Sequence, residues 1–174
     1  YLLLLVSGGH CQLLRVNGVG DYDRLATTID DAVGEAFDKS AKILGLGFPG
    51  GPAVEKAAKQ GDARAVPLPR PLKGADEPHF SFAGLKSAVL RAHEAGSHKP
   101  EDIAASFQHA ICLHLIDRVR KALLLHPDVK EIHIVGGVSA NAHLRELARE
   151  LPIPLRVPSS LTYCTDNAAM IAGA

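Results

Sequence analysis

The chain has 174 residues, 47% of them hydrophobic, and its 19 basic and 19 acidic residues give a formal net charge of +0. A chain of this length and composition can bury a substantial core as one domain or two small lobes, which excludes an intrinsically disordered protein. The balanced charge gives no global electrostatic argument for binding nucleic acid or a membrane. The mildly basic stretch over 56–99 is interpreted as solvated surface rather than a phosphate-binding face.

The cysteines and histidines do not form a recognisable disulfide or metal motif. Cys11, Cys112 and Cys164 are far apart and include no CxxC pair. The nine histidines include neither an HExxH nor an HxxxH pair. No apolar run approaches the ~20 residues that a membrane span needs, and no signal peptide is visible. The sequence therefore predicts a cytoplasmic protein in a reducing compartment, with no membrane partner.

The chain opens on an apolar run followed by Ser7, Gly8 and Gly9. Such a run predicts a strand buried on both faces. The two glycines allow a tight turn whose backbone N–H groups can bind an anionic group at the carboxyl end of the strand. An ordinary strand-to-strand turn is the alternative.

After the first strand, apolar residues recur first with the period of a strand and then with the period of a helix. Residues 12–19, with Asn17-Gly18 as the turn signal, predict a hairpin partner of the first strand, and residues 22–28 predict a third strand. An apolar stripe predicts a helix that begins at Thr28 or Asp30 as its cap, ends at Gly45, and carries a solvated face with an Asp38–Lys42 pair. The stripe consists of Ile29, Val33, Phe37, Ala41 and Leu44.

A Pro- and Gly-rich segment over 48–52 predicts a sharp loop, with Pro52 in the first turn of the following helix. The remaining chain predicts an irregular excursion over 62–78, a short strand over 79–82 and two helices over 84–95 and 101–125. It then predicts a strand over 131–135, a Gly-Gly turn into a helix over 136–150, a strand over 154–157 and a last helix over 161–174. The order indicates an α/β fold with a mixed sheet. The two Gly-Gly turns, each at a strand end, predict one ligand cleft between them, although plain turns of this kind are common.

Six motifs occur in a fixed order along nearly the whole chain: VSGGH at 6–10, IDDAVGEAFDK at 29–39, FPGGP at 48–52, FSFAGLK at 80–86, GGVSAN at 136–141 and TDNAAMIA at 165–172. In this order they resemble the TsaD family of tRNA N6-adenosine threonylcarbamoyltransferases, once described as O-sialoglycoprotein endopeptidases. The sequence offers no protease motif in support of the older name.

The resemblance implies an actin/Hsp70/sugar-kinase (ribonuclease-H-like) fold, with two duplicated α/β lobes around a nucleotide and a helical insertion. Residues 1–174 would be the C-terminal-side portion, with the N-terminal lobe mostly absent and the chain alone inactive. The implied acyltransferase moves a threonylcarbamoyl group from threonylcarbamoyl-adenylate to N6 of adenosine 37 of tRNAs reading ANN codons. The implied partners are tRNA, a paralogous scaffold subunit and a small ATPase. The alternatives are a non-catalytic scaffold paralogue of that complex and a small-molecule kinase of the same superfold.

The resemblance also assigns site residues, although it identifies no catalytic residue. Asp166 matches a ligand of a divalent metal, iron or zinc, whose histidine ligands are absent from this chain, so weak metal binding is expected. Asp38 would accept hydrogen bonds from ribose hydroxyls, and Asn141 would offer both a donor and an acceptor at the cleft wall. The substrate-binding positions are Leu5, Val6, Ser7, Gly8, Gly9, Asp38, Gly51 and Asn141.

Overall fold

A computed structural model describes residues 1–165, so Asp166 and most of the last predicted helix, residues 166–174, lie outside the described residues. The described part of the chain is built on a five-stranded mixed sheet with the strand order β3-β2-β1-β4-β5. β1, β2 and β3 pair antiparallel, whereas β1, β4 and β5 pair parallel. The strands are β1 Leu2–Val6, β2 Cys11–Gly18, β3 Asp21–Thr27, β4 Ile132–Val135 and β5 Leu155–Arg156. The mixed sheet predicted from the sequence is confirmed.

Among residues 1–165, five α-helices accompany the sheet: α1 Val33–Ile43, α2 Gly50–Ala58, α3 Ala83–Glu94, α4 Pro100–Leu125 and α5 Ala142–Ala148. The long α4 packs against α2, α3 and α5. The largest buried side chains are phenylalanines that come from α1, α4 and the segment before α3, namely Phe37, Phe80, Phe82 and Phe107. Among residues 1–165, no helix is long and apolar enough to cross a membrane.

β1 is more one-sided than its apolar run predicts. Leu2, Leu4 and Val6 are fully buried, whereas the alternating Leu3 and Leu5 are only partly buried. Side chains in a strand alternate between the two faces of the sheet, so one face of β1 is covered completely and the other only in part.

The turn between β2 and β3 is not the one that the sequence predicts. The two strands leave only Val19 and Gly20 between them, and Gly20 has a φ of +77°. Asn17 lies inside β2, where its side chain donates to the carboxylates of Asp21 and Asp23. A register irregularity next to Val16 moves the turn two residues along the chain.

The predicted start of α1 is wrong, and the prediction of its end is confirmed. The N-cap residue is Ala32, which provides no side-chain hydrogen bond, and Ile29 lies before the helix with 62% of its surface exposed. Thr28 instead donates to the Asp31 carbonyl, and Asp30 binds a different segment. Gly45 follows the helix with a φ of +67°, a conformation that favours glycine.

The FPGGP segment is a helix start rather than a loop. α2 begins at Gly50, so Gly50, Gly51 and Pro52 form its first turn, with Pro49 as the N-cap residue. Proline is compatible with a first turn because its missing N–H group would have no helical acceptor there. Gly51 therefore lies in the first turn of a helix and not in a loop.

The structure differs from three predictions for the later part of the chain. Residues 79–82 form no strand but a single parallel bridge between Thr28 and Phe80. The second Gly-Gly turn leads through a 3₁₀ turn, Gly137–Ala140, before α5 begins. Residues 161–164 also form a 3₁₀ turn.

Candidate active site

A cavity of about 290 Å³ lies where β1 and β4 end side by side. Ligands of open α/β sheets commonly bind beyond the carboxyl ends of such parallel strands. The wall combines residues from the VSGGH, IDDAVGEAFDK, FPGGP and GGVSAN motifs. They include Gly8, Asp38, Gly51, Glu55, Gly137 and Asn141. The two Gly-Gly turns thus face one cavity, as the sequence predicted.

Glycines without space for a side chain bring these elements together. A Cβ atom on Gly34 would lie 2.7 Å from the Gly8 Cα, and one on Gly136 would lie 2.4 Å from the Val6 carbonyl oxygen. Gly136 also has a φ of +94°, where side chains are strained. The start of α1 and the end of β4 therefore lie directly against the turn that follows β1.

The Ser7–Gly9 turn is partly closed by internal hydrogen bonds. The Ser7 N–H donates to the His10 carbonyl at 2.8 Å, and the Ser7 carbonyl accepts from the Gly34 N–H at 3.0 Å. The Gly8 and Gly9 N–H groups donate to no acceptor within residues 1–165. These two amides, rather than that of Ser7, can hold an anionic oxygen.

Asp38 connects α1 to α2 at the cavity wall. Its Oδ1 accepts a hydrogen bond from the Gly50 N–H at 2.7 Å, and its Oδ2 has no hydrogen-bond donor within residues 1–165. A Cβ on Gly50 would lie 2.5 Å from the Asp38 Cα, whereas one on Gly51 would meet nothing within 4 Å. Gly50 therefore permits close helix packing, and Gly51 leaves open space beside the carboxylate.

Asn141 has a structural role in addition to its place in the wall. It is only 6% exposed, and its Oδ1 accepts from the Leu144 N–H at 2.9 Å as the N-cap of α5. An N-cap side chain of this kind satisfies a backbone donor that has no partner in the helix.

Glu55 is a wall residue that the sequence reasoning missed. It lies on α2, and its Oε1 accepts from the Ala142 N–H at 2.9 Å. Gly51 and Glu55 are four residues apart and so share a helix face. This spacing identifies Glu55 once α2 is known to begin at Gly50, whereas the sequence predicts a loop over 48–52.

The charged face of α1 differs from the predicted one. Asp38 and Lys42 form no ion pair. Lys39 instead contacts Asp31 at 2.8 Å and Glu35 at 2.7 Å. The hydrogen bond from Lys39 is the main cause that lowers the pKa of Asp31, and it outweighs the opposing effect of burial. The Lys39 ammonium is therefore paired with Asp31 and Glu35.

Four of the eight predicted substrate-binding residues line the cavity, and four do not. Gly8, Asp38, Gly51 and Asn141 meet at its wall. Leu5 and Val6 are strand residues paired within the sheet, and Ser7 and Gly9 lie in the turn beside the cavity. Their proposed role in substrate binding stays a prediction.

The residues that the structure describes do not form a metal site. Within residues 1–165, no group of three or more His, Cys, Asp or Glu side chains could hold a metal ion. His109 and His143 contact each other at 2.9 Å, but they are only two. Asp166, the predicted metal ligand, lies outside the described residues.

Sequence comparison matches this architecture to one family over almost the whole chain. Residues 2–173 match the TsaD family, described as tRNA N6-adenosine threonylcarbamoyltransferase. Proteins with that description from Sphingopyxis alaskensis and Novosphingobium aromaticivorans are 63% and 62% identical to the chain over its full length. The match covers 52% and 51% of those proteins, so the chain spans about half the length of the curated relatives it matches.

Comparison with solved structures identifies the fold. Component A of the (R)-2-hydroxyglutaryl-CoA dehydratase of Acidaminococcus fermentans superimposes with a TM-score of 0.54 at 18% identity. The match covers 94% of this chain and 59% of that protein. Together with the family match, this likeness confirms the predicted α/β fold.

Proposed function

Because the chain belongs to the TsaD family of tRNA N6-adenosine threonylcarbamoyltransferases, we propose that the full-length protein transfers a threonylcarbamoyl group to tRNA. The donor is threonylcarbamoyl-adenylate, and the acceptor is N6 of adenosine 37 in tRNAs that read ANN codons. The observation that carries the proposal is that residues from four separate family motifs, Gly8, Asp38, Gly51 and Asn141, line one cavity at the carboxyl ends of two parallel strands.

The chemistry is an acyl transfer between two nucleotides. The N6 nitrogen attacks the carbamoyl carbon, the bond from that carbon to the adenylate oxygen breaks, N6 loses a proton, and AMP leaves. Binding residues accelerate such a reaction by holding the reacting atoms in line. No described residue is assigned the proton transfer.

The cavity offers complementary groups for the adenylate. The free Oδ2 of Asp38 accepts hydrogen bonds from ribose hydroxyls, since an ionised carboxylate is an acceptor only. The Gly8 and Gly9 amides bind a carboxylate or phosphate oxygen at the turn after β1. The missing Cβ of Gly51 lets the ligand approach the backbone of α2.

The proposal includes the parts that the family implies beyond this chain. The protein works in the cytoplasm with tRNA, a paralogous scaffold subunit and a small ATPase. A divalent metal, iron or zinc, would take Asp166 as one ligand and the remaining ligands from outside residues 1–165. Residues 1–174 contribute the C-terminal-side portion of a two-lobed protein and one wall of its cleft.

A transfer assay tests the proposal. The full-length protein, with its partners, is incubated with threonylcarbamoyl-adenylate labelled in the threonine and a tRNA transcript that reads an ANN codon. We expect label on N6 of adenosine 37 and none on a matched transcript with guanosine at position 37. Threonylcarbamoyl transfer by the complex that is unchanged in Asp38→Ala and Asn141→Ala would identify a scaffold instead, and phosphoryl transfer from ATP to a small hydroxyl substrate would identify a kinase.

A further inference from the structure

The amide of Asn141 has its orientation set by the helix that it caps. The Leu144 N–H lies 2.9 Å from one end of this amide and needs an oxygen there. Amide oxygen and nitrogen atoms are assigned from their hydrogen-bond partners. The cap therefore fixes Oδ1 toward Leu144 and leaves Nδ2 at the other end.

The oxygen of Asn141 has a second donor. The Cys112 thiol lies 3.7 Å from Oδ1, and both groups are buried. Burial raises the pKa of the Cys112 thiol well above its usual range, so the sulfur keeps its proton and acts as a weak donor. A carbonyl oxygen has two acceptor positions. Leu144 and Cys112 occupy both, and none remains for a ligand.

The nitrogen of Asn141 has one partner and one hydrogen left over. Nδ2 donates to Gln108 Oε1 at 2.9 Å, and Gln108 is itself only 9% exposed on α4. Because Nδ2 must donate, the Gln108 side chain has to present its oxygen there. The second Nδ2 hydrogen has no acceptor among residues 1–165, and Asn141 lines the cavity.

We propose that Gln108 is a positioning residue that fixes the Asn141 amide, so that Asn141 faces the cavity as a hydrogen-bond donor only. Under this proposal Asn141 offers the ligand a donor alone, whereas the expectation from the resemblance was both a donor and an acceptor. The ligand must therefore present an acceptor at this point: a ring nitrogen, a hydroxyl oxygen or a carbonyl oxygen. The consequence for the adenylate rests on the proposed function, whereas the orientation of the amide does not.

Four variants of the full-length protein separate positioning from folding. Gln108→Met keeps the length of the side chain and removes the acceptor, while Gln108→Glu keeps an acceptor oxygen in either protonation state. Asn141→Ser keeps an oxygen for the cap of α5 and removes the amide. The fourth variant combines Gln108→Met with Asn141→Ser.

The first readout needs no ligand. In the ¹H–¹⁵N spectrum, the side-chain NH₂ signals of Asn141 should show one slowly exchanging hydrogen, held by Gln108, and one that exchanges faster. Gln108→Met should shift the first signal and remove its protection, and Gln108→Glu should retain it. Unchanged Asn141 signals in Gln108→Met would overturn the proposal, whatever the protein binds.

The second readout is the affinity for a non-hydrolysable analogue of threonylcarbamoyl-adenylate, measured by calorimetry. We expect Gln108→Met to weaken binding about tenfold, the typical effect of losing one buried hydrogen bond, and Gln108→Glu to bind within about twofold of wild type. In the Asn141→Ser background, Gln108→Met should change the affinity less than about twofold, because its effect acts through the amide.

An equal tenfold loss in both backgrounds would overturn the positioning role, since Gln108 would then act without Asn141. Wild-type protein that does not bind the analogue would contradict the proposed function, and the NH₂ signals would still decide the orientation of the amide. Thermal unfolding of each variant checks that it folds.

Discussion

The carboxylate of Asp38 accepts a hydrogen bond from the Gly50 N–H at 2.7 Å, and the missing side chain of Gly50 lets α2 approach the backbone of Asp38. One oxygen of Asp38 thus stabilises the start of α2, while the other is left for a ligand. This relationship joins the IDDAVGEAFDK and FPGGP motifs at the cavity.

The two roles of Asp38 can be separated by substitution. Asp38→Asn keeps an oxygen for the Gly50 N–H, so its free energy of unfolding should stay within about 0.5 kcal/mol of wild type, whereas Asp38→Ala should lose about 1–2 kcal/mol. Both should weaken binding of the adenylate analogue at least about tenfold, because the acceptor facing the cavity is lost. Urea unfolding and calorimetry measure the two effects. Wild-type affinity in Asp38→Asn would exclude a role for its carboxylate in binding.

The neighbouring glycines Gly50 and Gly51 form a matched pair. A methyl group at Gly51 would meet open space, and alanine favours a helix more than glycine does. Gly51→Ala should therefore leave the free energy of unfolding unchanged or raise it by about 0.5–1 kcal/mol. Gly50→Ala would push a methyl group into the Asp38 backbone and should cost about 2 kcal/mol. Thermal unfolding of both variants distinguishes them. Equal stability would mean that α2 does not approach α1 as closely as described.

Asp30 joins the α1 motif to the FSFAGLK motif. Its Oδ1 accepts from the Phe82 N–H at 2.7 Å and its Oδ2 from the Ser81 hydroxyl at 2.5 Å. Asp30→Ala removes both acceptors and should cost about 1–3 kcal/mol, and it should speed hydrogen exchange of the Phe82 amide. Asp30→Asn, which keeps an oxygen for Phe82, is the control and should exchange more slowly than Asp30→Ala. Identical exchange in wild type and Asp30→Ala would contradict this contact.

His114 makes stability depend on pH. Burial, reinforced by the nearby Arg118 cation, lowers the pKa of His114 to about 4. Its Nε2 accepts the Ser81 N–H at 3.3 Å between the rings of Phe80 and Phe82. The unfolded state, whose His has a pKa near 6.5, binds the proton first. Stability should therefore be complete above about pH 6.5 and fall by about 3 kcal/mol as the pH drops to about 4.

Urea unfolding between pH 7.5 and pH 4 measures this loss. His114→Gln keeps an acceptor for Ser81 and cannot titrate, so the variant should lose less stability than wild type over the same interval. A variant with the same pH dependence as wild type would show that His114 is not the group responsible.

Periodicity predicted the elements that depend on burial alone. The long α4 and the strands β1 and β4 follow from apolar residues spaced for a helix or a strand. The start of α1 was predicted wrongly because Thr28, a good capping residue in isolation, donates to the Asp31 carbonyl before the helix, and Asp30 accepts from Ser81. Asp30 binds a segment about fifty residues further on, and no local pattern indicates this choice.

Only part of the candidate site could be predicted from the sequence, because some of its residues depend on contacts between distant segments. The motifs that resemble the family contain four residues of the cavity wall: Gly8, Asp38, Gly51 and Asn141. Glu55 and Gln108 stand in helices, where a polar residue is indistinguishable from a solvated one until its partner is known. Gln108 finds its partner 33 residues away in sequence, on the cap of α5. Only the packing of α4 against α5 reveals it.

The measurement that tests the account most directly is a calorimetric titration of the adenylate analogue into the full-length protein and two leucine variants. Gly51→Leu fills the cavity, and Gly84→Leu places the same side chain in open space on α3, away from the cavity. We predict that wild type and Gly84→Leu bind one analogue molecule with equal affinity and that Gly51→Leu does not bind. Binding by a folded Gly51→Leu variant with wild-type affinity would contradict the account, because the adenylate would then lie outside this cavity.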